Sequence, residues 1–318
     1  MKKIVVAIPV LNESKSLGAV IDGIKALSMS NAKAAIVVVD DGSTDDSVLV
    51  AKEHGAKVLS HGGNRGLGQA FRTAVRHAIA TKADIMVTID GDGQFDPADI
   101  PQLVEPIVAD HSDFVTASRF RSHELIPKMP GIKLWGNRRI AWIVNKLAGT
   151  NLHDVSCGYR AYSRESLLVL DLIGDFTYTH EVILTLAFRG MRMREVDVRV
   201  RGEREHGKSR VAGSILRYGL NSSIILLRNF RDYRPLTTFG DPAMLIAIIG
   251  MLCLAYFGIS SLILDEFYPK ILAFIGAFML LFSTVLFITA LLADMFTRIR
   301  VQLEETRRHL FLLEQEHK

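Results

Sequence analysis

Cysteine is nearly absent. Cys157 and Cys253 are the only two in 318 residues, too few for a disulfide framework, as expected of a chain kept in a reducing compartment. Charge is missing altogether from two long stretches, residues 242–264 (PAMLIAIIGMLCLAYFGISSLIL) and 271–293 (ILAFIGAFMLLFSTVLFITALLA). Each has the ~20 residues an α-helix needs to cross a bilayer, and two such runs side by side argue against a buried pair in a soluble core. At the N-terminus, KKIVVAIPVLNES has a short apolar run that ends in polar residues without a small-residue cleavage site, so no signal peptide is expected. Internal repeats and low-complexity segments are lacking too, which sets aside solenoid and linker architectures. Net charge is only +4, and the basic residues gather near the uncharged runs, which points to anionic lipid rather than nucleic acid as the charged partner.

What is present is a membrane hairpin with a direction. Only DEFYPK separates the two runs, giving Asp265 and Glu266 against Lys270. Arg228, Arg231 and Arg234 precede the hairpin, and Arg298, Arg300, Arg307 and Arg308 follow it. The positive-inside rule then places both termini, and everything before residue 242, on the cytoplasmic side of an inner or plasma membrane. Residues 211–234 (VAGSILRYGLNSSIILLRNFRDYR) have an apolar face with arginines opposite or at the end, and are expected to lie as an interfacial helix. Residues 298–318 read as a charged cytoplasmic tail helix.

The first 210 residues have a different texture. KIVVAIPV, AAIVVVD, KVLS, DIMVTID and DFVTAS are short β-branched apolar runs, and the stretches between them have helical periodicity. Strands spaced by helices predict right-handed βαβ units and a mostly parallel sheet covered on both faces, an α/β Rossmann-like domain. Residues 135–148 and 177–190 read as further helices, GYRAYS and MREVDVRVR as further strands.

In an open parallel sheet, ligands bind beyond the carboxyl ends of the strands. Pro9, Asn12 and Glu13 follow the first strand; Asp40, Asp41, Gly42, Ser43 and Asp45 follow the second; Asp90, Asp92 and Gln94 follow the fourth. Any one cluster suits a turn, but three on one edge suit a site. Alternate carboxylates in Asp90-Gly-Asp92 point the same way, and such hard oxygens suit Mg²⁺ or Mn²⁺ bridging a diphosphate. A calcium loop is excluded: counting from Asp90, the sixth position is Phe95 instead of Gly and the twelfth is Pro101 instead of Glu. Asp96, just before Pro97, is expected to cap the next helix. Two phosphate-loop lookalikes fail. GNRGLGQA (63–70) does not follow the first strand and has Phe71 at its third glycine position. GEREHGKS (202–209) matches the ATPase pattern but would turn Glu203 and Glu205 toward phosphates.

IPVLNES, VVDDGSTDDS, NRGLGQA, DGDGQFDP, SCGYRAYSRE, the Glu181 helix and REHGKSR, in this order, resemble the inverting glycosyltransferases of family 2, above all the polyprenyl-phosphate sugar transferases with a two-helix hairpin. The resemblance covers nearly the whole chain. It implies a GT-A catalytic domain over 1–210, transmembrane helices at 242–264 and 271–293, and metal-dependent, inverting transfer of a hexose from a UDP- or GDP-linked donor to polyprenyl phosphate. It implies that Pro9, Asn12, Glu13, Asp40 and Asp41 bind the nucleoside, with Arg65 and Gly66 nearby. Asp90, Asp92 and Gln94 would hold metal and diphosphate, and Arg119 with Arg138 or Arg139 would contact the acceptor phosphate. Arg204 and either Lys208 or Arg210 would close over the donor. Glu181 is open between a base and a structural or acceptor-orienting role; His180 and His206 are read as incidental. The likeness also implies a homo-oligomer, a tetramer by analogy. A processive polysaccharide synthase would carry Q-x-x-R-W, which is absent, and a non-catalytic nucleotide-binding scaffold would not need the full carboxylate set.

Overall fold

A computed structural model describes residues 2–27, 32–127, 129–170, 178–201, 231, 234–263 and 270–316. The chain divides into two compact units, Met1–Leu226 and Leu227–Lys318. The first is built on β1 (Lys2–Val10), β2 (Ala32–Asp40), β3 (Lys57–Ser60), β4 (Ile85–Thr88), β5 (Phe114–Ser118), β6 (Arg160–Ser163) and β7 (Met193–Asp197), in the order β3-β2-β1-β4-β6-β5-β7. β1 to β4 are mutually parallel, and β5 pairs parallel with β7. β6 runs antiparallel between β4 and β5.

The alternation of side chains along β1 explains the two covered faces. Val5 and Ala7 enter one core, with Phe71, Ala74, Ala141, Val144 and Leu184. Ile4, Val6 and Ile8 enter the other, with Leu17, Ile21, Ile100 and Leu103. A strand buried on both sides must be apolar, as this one is from Ile4 onward. The first core is roofed by α3 (Leu67–Ala80), α5 (Gly131–Ala148), α6 (Arg164–Leu168) and α7 (Thr179–Phe188); the second by α1 (Ser14–Lys25), α2 (Ser47–Glu53) and α4 (Ile100–Val108). Asp96 accepts the amide of Ala98 at 2.9 Å ahead of Pro97 and so starts the turn leading into α4.

The second unit contains α8 (Asp241–Ile263) and α9 (Ile271–Glu316). Both are long and apolar enough to cross a membrane. They touch where glycines face each other: a Cβ on Gly276 would lie 2.9 Å from the Gly250 carbonyl, and the Ser283 hydroxyl donates to the Ala243 carbonyl at 2.8 Å. Close backbone approach through small residues is how helices associate where lipid supplies no hydrophobic drive. Large side chains point outward, Leu262 at 86% exposure and Phe274 at 74%. Residues 298–316, expected as a tail helix, are helical and continue α9 without a break; no glycine or proline occurs after Gly276. The expected interfacial helix over 211–234 lies outside the described residues except for Arg231 and Arg234.

Candidate active site

The three polar clusters meet at the carboxyl edge because their loops are tied to one another. After β1, Asn12 takes a left-handed conformation (φ 53°). Its side-chain oxygen accepts the Thr44 amide at 2.6 Å, and its own amide donates to Ser43 Oγ at 2.9 Å. The Glu13 amide donates to Ser47 Oγ at 2.8 Å, and that of Ser14 to Asp45 at 3.1 Å. Pro9 stays within β1, opposite Val39. The loop after β1 is therefore held by the loop after β2.

The two aspartates ending β2 have different duties. Asp40, 2% exposed, accepts the Ser43 amide at 2.8 Å and the Ser60 hydroxyl at 2.7 Å, joining β2 to β3. Burial pushes its pKa up, but the Ser43, Ser60 and Gly42 hydrogen bonds prevail and hold it below the ordinary value. Asp41 accepts the amides of Arg65 and Gly66 at 2.9 and 2.8 Å, and His61 Nδ1 lies 2.9 Å from its Oδ1. The other nitrogen of His61 is 2.9 Å from Thr73 Oγ1. Asp41 thus shapes the 61–66 loop, and Arg65 and Gly66 come to this edge through their backbone. Gly42 (φ 84°) completes the contact: a Cβ there would lie 2.5 Å from the Gly63 carbonyl carbon.

The acidic loop after β4 is set by Gly91, whose carbonyl accepts Ser16 Oγ at 2.8 Å. Asp92 is 4% exposed, and its Oδ1 accepts the Gln94 amide at 3.0 Å. The Asp90 carboxylate leans over the backbone of Gly158, where a Cβ would stand 3.4 Å from Oδ1. The side-chain amide of Gln94 donates to the Arg201 carbonyl at 3.1 Å, the Arg201 amide returns a bond to the Gln94 carbonyl at 3.0 Å, and Phe95 bridges Val200. The chain that continues into GEREHGKS is thereby clasped to the acidic loop. Arg204, Lys208 and Arg210, and with them His206, lie outside the described residues.

Among the described residues no group of three or more His, Cys, Asp or Glu side chains forms a metal cage. Mg²⁺ is commonly held by one or two carboxylates plus phosphate oxygens and water. Asp90 and Asp92 offer hard oxygen donors of that kind, and the glycine at 158 lets the Asp90 carboxylate approach its backbone, where the Tyr178 hydroxyl also lies.

Arg119 is held in a fork by its neighbours. Its Nε and Nη2 donate to Asp154 at 2.5 and 2.9 Å, and Nη2 also reaches Ser156 Oγ at 2.9 Å. The Asp154 side chain is wholly buried and the Arg119 side chain 19% exposed. Burial would raise the Asp154 carboxyl, but the Arg119 charge and the Ser156 hydrogen bonds hold it below its usual range. The planar guanidinium is committed to this fork. Arg138 and Arg139 are on the exposed side of α5, with Arg139 stacked over Trp135 at 5.6 Å. Glu181 is 5% exposed in the first turn of α7, a helix buried from Thr179 to Leu186. Its neighbour His180 is fully buried, and burial, then the nearby Arg160 charge, bring its pKa down to about 4.

Residues that the sequence did not single out also hold the site. Arg160, fully buried, donates to the carbonyls of Thr179 and Val155 at 2.9 and 3.0 Å, fastening β6 to the start of α7. Tyr178 stacks on Phe71 with ring centres 3.9 Å apart. Asp154 had one legible signal, its place just ahead of Ser156 and Cys157, whose amides it accepts at 3.1 Å each. Gly158 had its place in the SCGYRAYSRE motif, and His61 had none.

Residues 5–170 match the family model described as glycosyl transferase family 2. The UDP-N-acetylglucosamine–dolichyl-phosphate N-acetylglucosaminyltransferase of Methanococcus voltae is 33% identical over 186 residues, 53% of this chain and 72% of that protein. The dodecaprenyl-phosphate galacturonate synthase of Rhizobium johnstonii is 24% identical over 303 residues, 92% of this chain and 86% of that protein. Among solved structures, glucosyl-3-phosphoglycerate synthase from Mycobacterium tuberculosis, in complex with Mn²⁺, UDP-glucose and phosphoglyceric acid, superposes with a TM-score of 0.56 at 25% identity, covering 72% of this chain and 79% of that one.

Proposed function

Because the chain belongs to glycosyl transferase family 2, we propose that it transfers a hexose from a nucleotide-sugar, UDP- or GDP-linked, to polyprenyl phosphate at the cytoplasmic face of a membrane, with inversion at the sugar. The observation that carries this reading is the acidic loop Asp90–Gln94 clasped at Arg201, on a chain with two helices of membrane-spanning length and apolarity. The names of the Methanococcus and Rhizobium relatives support the lipid-phosphate acceptor, and the Mn²⁺–UDP-glucose complex of the mycobacterial structure supports the donor and a divalent cation.

In this reading Asp90 and Asp92, with Gln94 shaping their loop, hold Mg²⁺ or Mn²⁺, which when bound offsets charge on the departing diphosphate. Pro9, Asn12, Glu13, Asp40 and Asp41 form the nucleoside end, with Arg65 and Gly66 beside them. Arg204 with Lys208 or Arg210 covers the diphosphate, continuing the segment pinned at Arg201. Arg138 or Arg139 meets the acceptor phosphate. An oxygen of that phosphate attacks the anomeric carbon as the bond to the diphosphate breaks, and the nucleoside diphosphate leaves. A phosphate with a second pKa of about 6 is already charged at neutral pH, so no base needs to remove a proton, and Glu181 orients the acceptor region rather than acting as one. Arg119 is a positioning residue through Asp154. The arginines flanking the hairpin keep both termini cytoplasmic, and the protein assembles as a homo-oligomer.

The test is product formation in membranes supplied with labelled nucleotide-sugar and polyprenyl phosphate. Chloroform-extractable label is expected with the native chain and at least 100-fold less with Asp92→Asn, its unfolding temperature unchanged. Full turnover by Asp92→Asn would refute the metal assignment. Water-soluble polymer as the product would refute the acceptor.

A further inference from the structure

Helix α5 (GIKLWGNRRIAWIVNKLA) is seated firmly on one side and unusually dressed on the other. Ala141 and Val144 are buried, with Ile140, Leu147 and Ala148 packed partly into the same core. Asn145 fastens its end, donating to the Leu152 carbonyl at 2.7 Å and accepting the Leu152 amide at 3.0 Å. The opposite side exposes Ile132 (62%), Trp135 (62%) and Trp142 (57%). Arg138, Arg139 and Lys146 are exposed among them. At 3.6 residues per turn, Trp142, Trp135, Lys146 and Arg139 fall within an arc of about 60°. Arg139 sits 5.6 Å over the Trp135 ring and Lys146 5.3 Å over that of Trp142. The helix has no aspartate or glutamate, and the chain has no other tryptophan.

Large aromatic side chains are seldom left in water without a partner. Tryptophan rings interleaved with snorkelling cations are the side-chain set of the membrane–water interface. A second copy of the same face is the poorer occupant, since a two-fold contact would set cations against cations with no carboxylate on the helix to relieve them. We propose that the exposed face of α5 docks on an anionic lipid surface, with Trp135 and Trp142 at headgroup depth and Arg138, Arg139 and Lys146 among the lipid phosphates. Docking lays the catalytic unit against the bilayer through its own surface, independently of the apolar hairpin. The inference rests on the reading of α8 and α9 as membrane-spanning helices.

Because both tryptophans lie on this face, intrinsic fluorescence of the full-length protein reports on it without a label. The protein is reconstituted in phosphatidylcholine vesicles with and without phosphatidylglycerol, prepared with brominated acyl chains, and its emission is challenged with aqueous iodide. Docking predicts quenching by brominated lipid at least twofold stronger in the anionic vesicles, and iodide quenching at least threefold weaker than for free N-acetyltryptophanamide. Trp135→Phe and Trp142→Phe, each leaving one reporter, should both retain this behaviour. Lys146→Glu should lower brominated-lipid quenching while the protein still floats with the vesicles. Protein that floats but keeps iodide-accessible tryptophans overturns the docking and leaves the hairpin reading intact. Protein that does not float overturns both. Tryptophans shielded from iodide and from brominated lipid alike mean that protein, a second copy or another partner, covers the face, and equal quenching in neutral and anionic vesicles removes the charge attraction; either result overturns the proposal.

Discussion

The fork between Arg119 and Asp154 decides whether Arg119 serves the fold or the substrate, and substitutions can separate the two. Removing one partner of a buried pair costs about 3–5 kcal/mol, because the other charge is left uncompensated. The two ends are unequal. Methionine at 119 strands a carboxylate with no side-chain exposure, whereas asparagine at 154 strands a guanidinium that is 19% exposed and can take some water. Arg119→Met should therefore fall at the upper end of the range and Asp154→Asn at the lower, the asparagine oxygen still accepting the Ser156 and Cys157 amides. For a catalytic unit of this size, about 2–4 °C of melting temperature per kcal/mol makes the losses about 6–20 °C, read by thermal unfolding of the full-length protein in detergent. The double variant should be less destabilised than the sum of the singles by about 1–3 kcal/mol. The Asp154 pKa lies below its unfolded value of about 3.9. Its contribution is thus present above that pH and lost as pH falls through the folded value, and Asp154→Asn should lack this part of the acid transition. An Arg119→Met protein that melts like the native one but makes no product would refute the reasoning and return Arg119 to the acceptor phosphate.

Other expectations follow from single contacts. Gly42→Ala should destabilise by about 2–4 kcal/mol in thermal unfolding, since the residue has φ 84° and a Cβ would meet the Gly63 backbone at 2.5 Å; an unchanged melting temperature would mean that the two loops part easily. His180, with a folded pKa of about 4 against about 6.5 unfolded, is neutral in the folded protein. The stability it permits is whole above pH ~6.5 and declines toward pH 4, by on the order of 3 kcal/mol, so His180→Gln should flatten a denaturation series across that window. Gly276→Leu should separate α8 from α9, where a Cβ would already stand 2.8 Å from Leu254, and a cysteine pair introduced at 243 and 283 should then lose its cross-linking.

Much of the fold is legible in the pattern of residues. KVLS is β3 without adjustment, and the apolar runs of β1, β2, β4 and β5 lie within two residues of the observed strands. Local periodicity sets these elements, and periodicity can be read along the chain. The insertion of β6 antiparallel between β4 and β5 cannot, because pairings such as Thr88 with Arg160 join residues 72 apart. The carboxylates of the site were equally readable as types, but the bonds that consume them were not. Nothing local reveals that Asp41 accepts the Arg65 and Gly66 amides, more than twenty positions away. Nor does any local pattern reveal that Arg119 meets Asp154 across 35 positions. The helical period of α5 was visible, but which side of it meets the core is decided by Ala141 and Val144 packing against elements far away in the chain.

The length of α9 has a mechanical consequence. Its 46 residues, at 1.5 Å each, make a rod of about 69 Å, more than twice the about 30 Å of hydrocarbon it would cross. Having neither glycine nor proline beyond Gly276, it has no sequence hinge at which to bend on leaving the lipid. The contacts at Gly276 and Ser283 therefore fix the angular phase of every turn as far as Glu316. With no hinge along the way, a rotation of the helix at those contacts is carried along its length toward Glu316.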